Sequence, residues 1–241
     1  MQPKDQALEV WGELACFTRP ELKVERYSYP VITPSAARGI YEAIYAKPRE
    51  LRWQITGIEI LAPPAYIALR RNETKEKVSM VAVQKWMRES TLAEPIWADG
   101  DERLLGTDAK GRTQRQTMAL KNVHYCLHAE IRPWPEHAGG LQGMEAQFRR
   151  RAATGKCVYQ PYFGCREFPA YFELVEPGAP PARRAPVNLD LGMMLYDVFD
   201  LSRPGASTDE PAISLFRAAV EDGYLAVPPY EDSAVEKTPR R

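Results

Sequence analysis

The order of periodic segments predicts an α+β fold, an antiparallel four-stranded sheet with two helices on one face. Three observations carry this. Ala7 to Phe17 alternates apolar and polar residues and is followed by a proline-opened helical segment. Leu51 to Leu61 and Thr117 to Ile131 again have the period of two expected of strands. A second helical segment, Leu141 to Ala152, precedes an aromatic-rich stretch from Val158 to Val175. Strand, helix, strand, then strand, helix, strand is the ferredoxin-like order, the arrangement that also underlies RNA-recognition modules.

Each element has a local reason. In the first strand Leu8, Val10, Gly12, Leu14 and Cys16 oppose Glu9, Trp11, Glu13 and Phe17. Thr33-Pro34-Ser35 offers an N-cap with proline at the first helical position, and Pro48 stops the segment, so the spacing predicts a helix over Ser35 to Lys47. Ala36, Ile40, Ala43, Ile44 and Lys47 share one side of it, and Arg38, Tyr41, Glu42 and Tyr45 the other. In the next strand the apolar phase changes between Ile55 and Ile58, which places a bulge at Gly57.

Tyr66 to Leu69 reads as a further strand, and Glu73 to Trp86 has no clear assignment. The charged stretch Asp99 to Arg115 is predicted to be a long mobile loop. An insertion around 73–116 therefore interrupts the domain 1–176. Gly139-Gly140 turns the chain into the second helix, whose last turn is crowded by Arg149-Arg150-Arg151, as the helix dipole favours. Proline-rich 177–186 reads as a linker to a small, mainly β C-terminal unit, 187–241, with a turn at Asp222-Gly223 and a loose tail from Glu231.

Composition bounds the function. The chain has 241 residues, 44% of them apolar and 27% charged, enough to bury a core and to exclude disorder and fibres. No apolar run approaches the ~18 residues of a spanning helix, and the opening residues lack a secretory signal, so a soluble cytoplasmic protein is expected. Four cysteines without a C-x-x-C pair predict buried free thiols and neither a zinc ribbon nor a disulfide framework. The 32 basic and 32 acidic residues balance, but ten acids and only five bases lie from Pro186 onward. The earlier part is thus net basic, which permits a face for nucleic acid.

One set of segments falls in a characteristic order. It comprises the helix Ala37-Arg38-Gly39-Ile40-Tyr41-Glu42-Ala43-Ile44-Tyr45-Ala46-Lys47-Pro48 and the strand Leu120-Lys121-Asn122-Val123-His124-Tyr125. It continues with the loop Tyr162-Phe163-Gly164-Cys165-Arg166-Glu167-Phe168, then Leu191-Gly192-Met193-Met194 and Glu221-Asp222-Gly223-Tyr224. Over nearly its whole length the chain resembles the Cas five family of CRISPR-associated proteins, in its subtype I-C (Dvulg) branch. The resemblance implies a RAMP-superfamily protein with a modified ferredoxin-like domain. It also implies an endoribonuclease that cuts CRISPR repeat RNA without a metal or other cofactor and stays on the mature guide RNA beside other subunits of an interference complex. Alone, such a protein is expected to be monomeric, with no membrane partner. The alternative is a non-catalytic scaffold that holds the 5′ handle of the guide. A DNA nuclease would need a metal, and the carboxylates form no recognisable ligand cluster.

Metal-free RNA cleavage uses the substrate's 2′-OH, which must be oriented in line, deprotonated and matched by charge at the phosphorane. The resemblance gives the catalytic role to Tyr45, whose phenol would need a neighbouring cation to act as a base; otherwise it orients, or simply packs against Tyr41. Lys121 is in phase with Val123, Tyr125, Leu127 and Ile131. It either snorkels at the strand's end or is the cation the family places beside the scissile phosphate. The family pattern can have a histidine next to this lysine. Here that neighbour is Asn122, with His124 two residues on, either a substitute acid or a structural histidine. Lys110, Arg112 and Arg115, with Gln114 and Gln116 beside them, form a basic and amide-rich approach to the Lys121 strand that either grips RNA or is a solvated loop, and Asn122 is a further RNA-binding candidate. Arg149 to Arg151 either cap a helix or meet RNA, and Arg38 and Arg166 join the RNA-binding candidates. Gly164 either lets the backbone approach RNA, with Tyr162 or Phe163 stacking a base, or marks a strand bulge.

Overall fold

The computed structural model describes residues 2–22, 24–75, 77–89, 93, 97, 111–180, 182–205 and 210–237. They fall into two compact units, one drawn from Met1–Ile67 and Met118–Arg241, the other Ala68–Thr117. In chain order the elements are β1 (Gln6–Ala15), β2 (Arg26–Tyr27), α1 (Pro34–Ile44), β3 (Leu51–Ile60), β4 (Tyr66–Thr74), α2 (Met80–Glu89) and β5 (Arg112–Pro133). A 3₁₀ turn at Pro135–Gly140 leads into α3 (Leu141–Ala153), then β6 (Tyr171–Leu174), β7 (Leu189–Asp197), β8 (Ser214–Glu221), β9 (Tyr224–Ala226) and β10 (Val235–Lys237). The protein is thus mixed α and β, with a ten-stranded sheet and three α-helices among the described residues.

The sheet runs β10-β8-β9-β3-β5-β1-β6, with β2 and β4 also paired to β5 and β7 to β8. Every pairing of known register is antiparallel. Its centre therefore reads β3-β5-β1-β6. The alternation in β5 buries Val123, Tyr125, Leu127, Ala129 and Ile131 on one face, and Leu8 and Val10 of β1 join them. Against this face, Tyr41 of α1, Trp53 of β3 and Phe148 of α3 form a closed aromatic cluster with ring centroids 4.7–5.6 Å apart. Truncating either Trp53 or Phe148 to alanine would cost about 3–5 kcal/mol. Tyr41 is fully buried, and its hydroxyl donates toward the carbonyls of Gln6 and Leu127, which satisfies the polar atom of its side chain.

The bulge read from the phase change in β3 is present, the register slipping between Ile55 and Gly57. Four other expectations change. Arg112, Gln114 and Arg115 lie in β5, not in a loop, because β5 extends N-terminally to pair with β4. The fourth strand shrinks to Tyr171–Leu174: Pro161, Pro169 and Gly164, at φ +78°, break the stretch before it, and Phe163 and Phe168 turn into the core. The C-terminal strands do not stand apart, since β9 pairs directly with β3 and the end of the proline-rich stretch is pinned there by a bond from Ala185 N–H to the Ile60 carbonyl. The tail contributes β10 to the same sheet through Phe216. Asp222 and Gly223, both at positive φ, make the tight turn between β8 and β9.

Candidate active site

α1 begins where Thr33 accepts a hydrogen bond from Ala36 N–H and Pro34 fills the first helical position. It ends at Tyr45, whose backbone is extended (φ −148°, ψ 104°) while its N–H still donates to the Tyr41 carbonyl across 2.8 Å. Two bonds fix this terminus: Trp53 Nε1 donates to the Tyr45 carbonyl (2.9 Å) and Arg151 Nε to the Ile44 carbonyl (2.6 Å). Arg151 comes from the last turn of α3, so a cation sits at the C-terminal end of α1, where the helix dipole favours it.

Burial pushes the Tyr45 phenol above its ordinary value, against the opposing pull of Lys47 and Arg151, while Glu50 adds to the rise. The phenol is therefore neutral at physiological pH and offers a proton as a hydrogen-bond donor; it is not poised as a base. Lys47 is held in turn by Glu50, with Nζ 2.8 and 3.0 Å from its two carboxylate oxygens. Tyr45, Lys47 and Arg151 thus gather a phenol and two cations at one helix end. Of these, Lys47 carried no assigned role in the sequence and Arg151 only an ambiguous one; the signal for both was proximity to a helix C-terminus.

Lys121 is elsewhere. Trp53, which touches the Tyr45 carbonyl, is in register with Ile131, whereas Lys121 is in register with Leu14. Ten residues of β5 separate Lys121 from Ile131, roughly 33 Å of extended chain. Tyr45 therefore sits toward the C-terminal end of β5, while Lys121 lies near the middle of that strand, about ten residues back along it. The phase argument for Lys121 fails at Asn122, which adopts φ +52°, a left-handed conformation asparagine tolerates. Lys121 and Asn122 are consequently both exposed, a break between the buried Thr117, Ala119 and Leu120 and the alternation that resumes at Val123. His124 lies on the other sheet face, 2.7 Å from Glu9 and edge-on to Trp11. Tyr45, Lys121 and His124 are not brought together.

The RNA-binding candidates also divide. Arg38 is buried, with Nε and Nη2 2.7 and 3.0 Å from the two carboxylate oxygens of Asp197 and a further bond to Glu42. Burial works against its charge, but Asp197 and Glu42 outweigh it and hold the guanidinium charged, so Arg38 fastens α1 to β7 and its donors are engaged within the protein. Lys110 lies outside the described residues. In the smaller unit Arg115 Nε is 3.2 Å from Glu73, Arg112 is half-buried and Gln114 is exposed. Gly164 is required by an internal approach: a Cβ there would stand 2.1 Å from the Cys16 carbonyl. Phe163 is fully buried against Phe17 and Tyr125 and cannot stack a base, whereas Tyr162 is half-buried beside Tyr159 and Arg166 is exposed.

Tyr159 and Tyr162 line a groove of about 480 Å³ that also meets the start of α1 and Phe199, a surface with aromatic faces for stacking. The opposite sheet face is unsuited to phosphate, because Glu9, Glu13, Glu59 and Glu173 all project from it. On that face Glu59, Cys126 and His128 bring three metal-ligating atoms within 4.8 Å of one another. No helix among the described residues is long and apolar enough to cross a membrane.

Residues 7–228 match the family model described as CRISPR-associated protein (Cas_Cas5). A protein of Mannheimia succiniciproducens named CRISPR pre-crRNA endoribonuclease Cas5d is 37% identical over 237 residues, covering 95% of this chain and 97% of its own. A protein of the same name from Thermus thermophilus is 39% identical over 236 residues, covering 92% and 90%. A crystal structure of a CRISPR-associated protein superposes with a TM-score of 0.63 at 17% identity, covering 98% of both chains. A functionally uncharacterized Streptococcus mutans protein gives 0.60 at 17%, covering 97% of both. At such identity these two structures speak to the fold alone.

Proposed function

We propose, from the premise that the chain belongs to the Cas5d family of CRISPR-associated proteins, that it cuts CRISPR repeat RNA without a metal and stays on the 5′ handle of the product as a subunit of a type I-C interference complex. The observation that carries this reading is that two relatives named as pre-crRNA endoribonucleases align over at least nine-tenths of both chains. The strand order β3-β5-β1-β6, with α1 and α3 against one face, supports a ferredoxin-like core of the RAMP kind. The reading keeps the protein in the cytoplasm with its RNA.

In the proposed reaction the 2′-oxygen attacks the adjacent phosphorus and loses its proton. The bond to the 5′-oxygen breaks as that oxygen gains one, leaving a 2′,3′-cyclic phosphate and a 5′-hydroxyl. Tyr45 donates a hydrogen bond from its neutral phenol at the reacting phosphodiester, and Lys47 and Arg151 supply positive charge as the phosphorane forms. Lys121, with Asn122, becomes a contact to RNA distant from the chemistry, and His124 has no part in it. The test is labelled repeat RNA incubated in EDTA with the wild type and Tyr45→Phe. Cleavage by the wild type alone, with equal binding by both, supports the reading; loss of cleavage in EDTA sinks it. The scaffold reading is favoured by one observation, that Tyr45 lacks a lowered pKa. Tight binding with no product in any buffer would establish it.

A further inference from the structure

We propose that Glu59, Cys126 and His128 bind a divalent, zinc-like ion on the sheet face opposite α1. The site is built by the sheet. Alternation along β5 puts Cys126 and His128 on one face, and the slip in β3 sets Glu59 directly across from Cys126. His128 Nε2 is 3.7 Å from Cys126 Sγ and 3.5 Å from Glu59 Oε1. A tetrahedral zinc with sulfur at about 2.3 Å and nitrogen and oxygen at about 2.0–2.1 Å separates neighbouring ligand atoms by about 3.3–3.6 Å, so the ring nitrogen is at ligand spacing from Glu59 and within a few tenths of an ångström of it from Cys126.

The orientation of the imidazole is set from behind. His128 Nδ1 is 2.7 Å from Asp5 Oδ2, the carboxylate–histidine arrangement that fixes a tautomer and turns Nε2 toward a metal. Glu9, which flanks Cys126 from β1, is engaged by His124 and does not compete. Tyr224 walls the site, its ring so close over Gly57 that a Cβ there would meet the hydroxyl at 2.2 Å. The Glu59 and His128 side chains keep 16% and 23% of their surface exposed, so an ion can enter from solvent and water can take the fourth position. A thiolate, an imidazole and one carboxylate select zinc or cobalt over magnesium or calcium. On binding, the Cys126 thiol proton and the Nε2 proton of His128, which its hydrogen bonds to Asp5 and Cys126 otherwise hold as a charged imidazolium, both leave to solvent.

The full-length reduced protein, titrated with cobalt(II) chloride, should develop thiolate-to-cobalt charge-transfer absorption that zinc chloride displaces. Cys126→Ser should abolish that absorption while circular dichroism stays unchanged. Asp5→Asn should keep it with affinity lowered about 10- to 100-fold. If Cys126→Ser does not fold, Glu59→Gln decides, because it should retain the thiolate band at weaker affinity. Absence of the band in folded wild type at saturating cobalt, a band that persists in Cys126→Ser, or a cobalt affinity unchanged in Glu59→Gln overturns the proposal and leaves a metal-free ion pair of His128 with Asp5 and Glu59. The readout is a spectrum, so its failure leaves the cleavage reading untouched.

Discussion

Arg151 Nε donates to the Ile44 carbonyl across 2.6 Å, joining the last turn of α3 to the last turn of α1 and laying a guanidinium beside the Tyr45 side chain. One side chain thereby caps a helix and brings positive charge to the place where the proposed catalytic phenol sits.

Arg151→Ala should show both roles. Losing a charge-assisted bond to a buried carbonyl is expected to cost about 1.5–3 kcal/mol in urea unfolding. Single-turnover cleavage at saturating RNA should fall by about 10²-fold or more, as when one transition-state donor is removed. Arg151→Lys should recover part of the rate and little of the stability, because ammonium restores charge without the guanidinium's fixed fork. If Arg151→Ala loses stability alone, the residue is only a cap.

Tyr45→Phe removes one hydroxyl and leaves the ring in place. Stability and RNA affinity should hold, while the cleavage rate falls by about 10²- to 10⁴-fold. The pH profile carries the sign. A phenol raised above its ordinary value keeps its proton to higher pH, so its hydrogen bond is intact below about pH 10 and is lost only as pH rises beyond that. A rate–pH profile of the wild type should therefore show no limb from Tyr45 between neutrality and pH 10. A tyrosine-dependent rise in that range would mean the phenolate is the active form.

Lys121→Ala tests the separation of the two residues. With Lys121 some ten residues along β5 from the Tyr45 end, the chemical step should change by no more than about 0.5 kcal/mol, roughly twofold. Any loss should appear as weaker binding with a shallower salt dependence, the signature of one lost phosphate contact. A hundredfold loss in the chemical step at saturating RNA would place Lys121 at the scissile phosphate in a conformation different from this one.

The two residues illustrate what was legible. The Thr33-Pro34 cap, the alternation of β1 and the bulge before Gly57 are local signals, each set by residues a few positions apart, and each reappears in the fold. Lys121 looked like a core-facing cation because period-two alternation was extended through Asn122, where a left-handed backbone breaks it. The partners of buried groups were illegible for a different reason. Arg38 and Asp197 are 159 residues apart, and no periodicity reports which strand a helix will meet. Gly164 was read as a place for RNA to approach the backbone or as a strand bulge; the sequence does not name the group that approaches within the fold, which is the Cys16 carbonyl.

The Arg38–Asp197 pair gives a prediction that separates stability from RNA contact. Asp197 is about 1% exposed, and besides Arg38 its Oδ1 accepts from the N–H groups of Val198 and Phe199. Arg38→Ala would strand that carboxylate and should cost about 3–5 kcal/mol, whereas the double variant Arg38→Met, Asp197→Leu, which removes both charges, should recover most of it. In protein still folded, RNA affinity and its salt slope should match the wild type, because the guanidinium is already committed to Asp197 and Glu42. A salt slope reduced by about one in Arg38→Ala and in the double variant alike would instead make Arg38 a phosphate ligand.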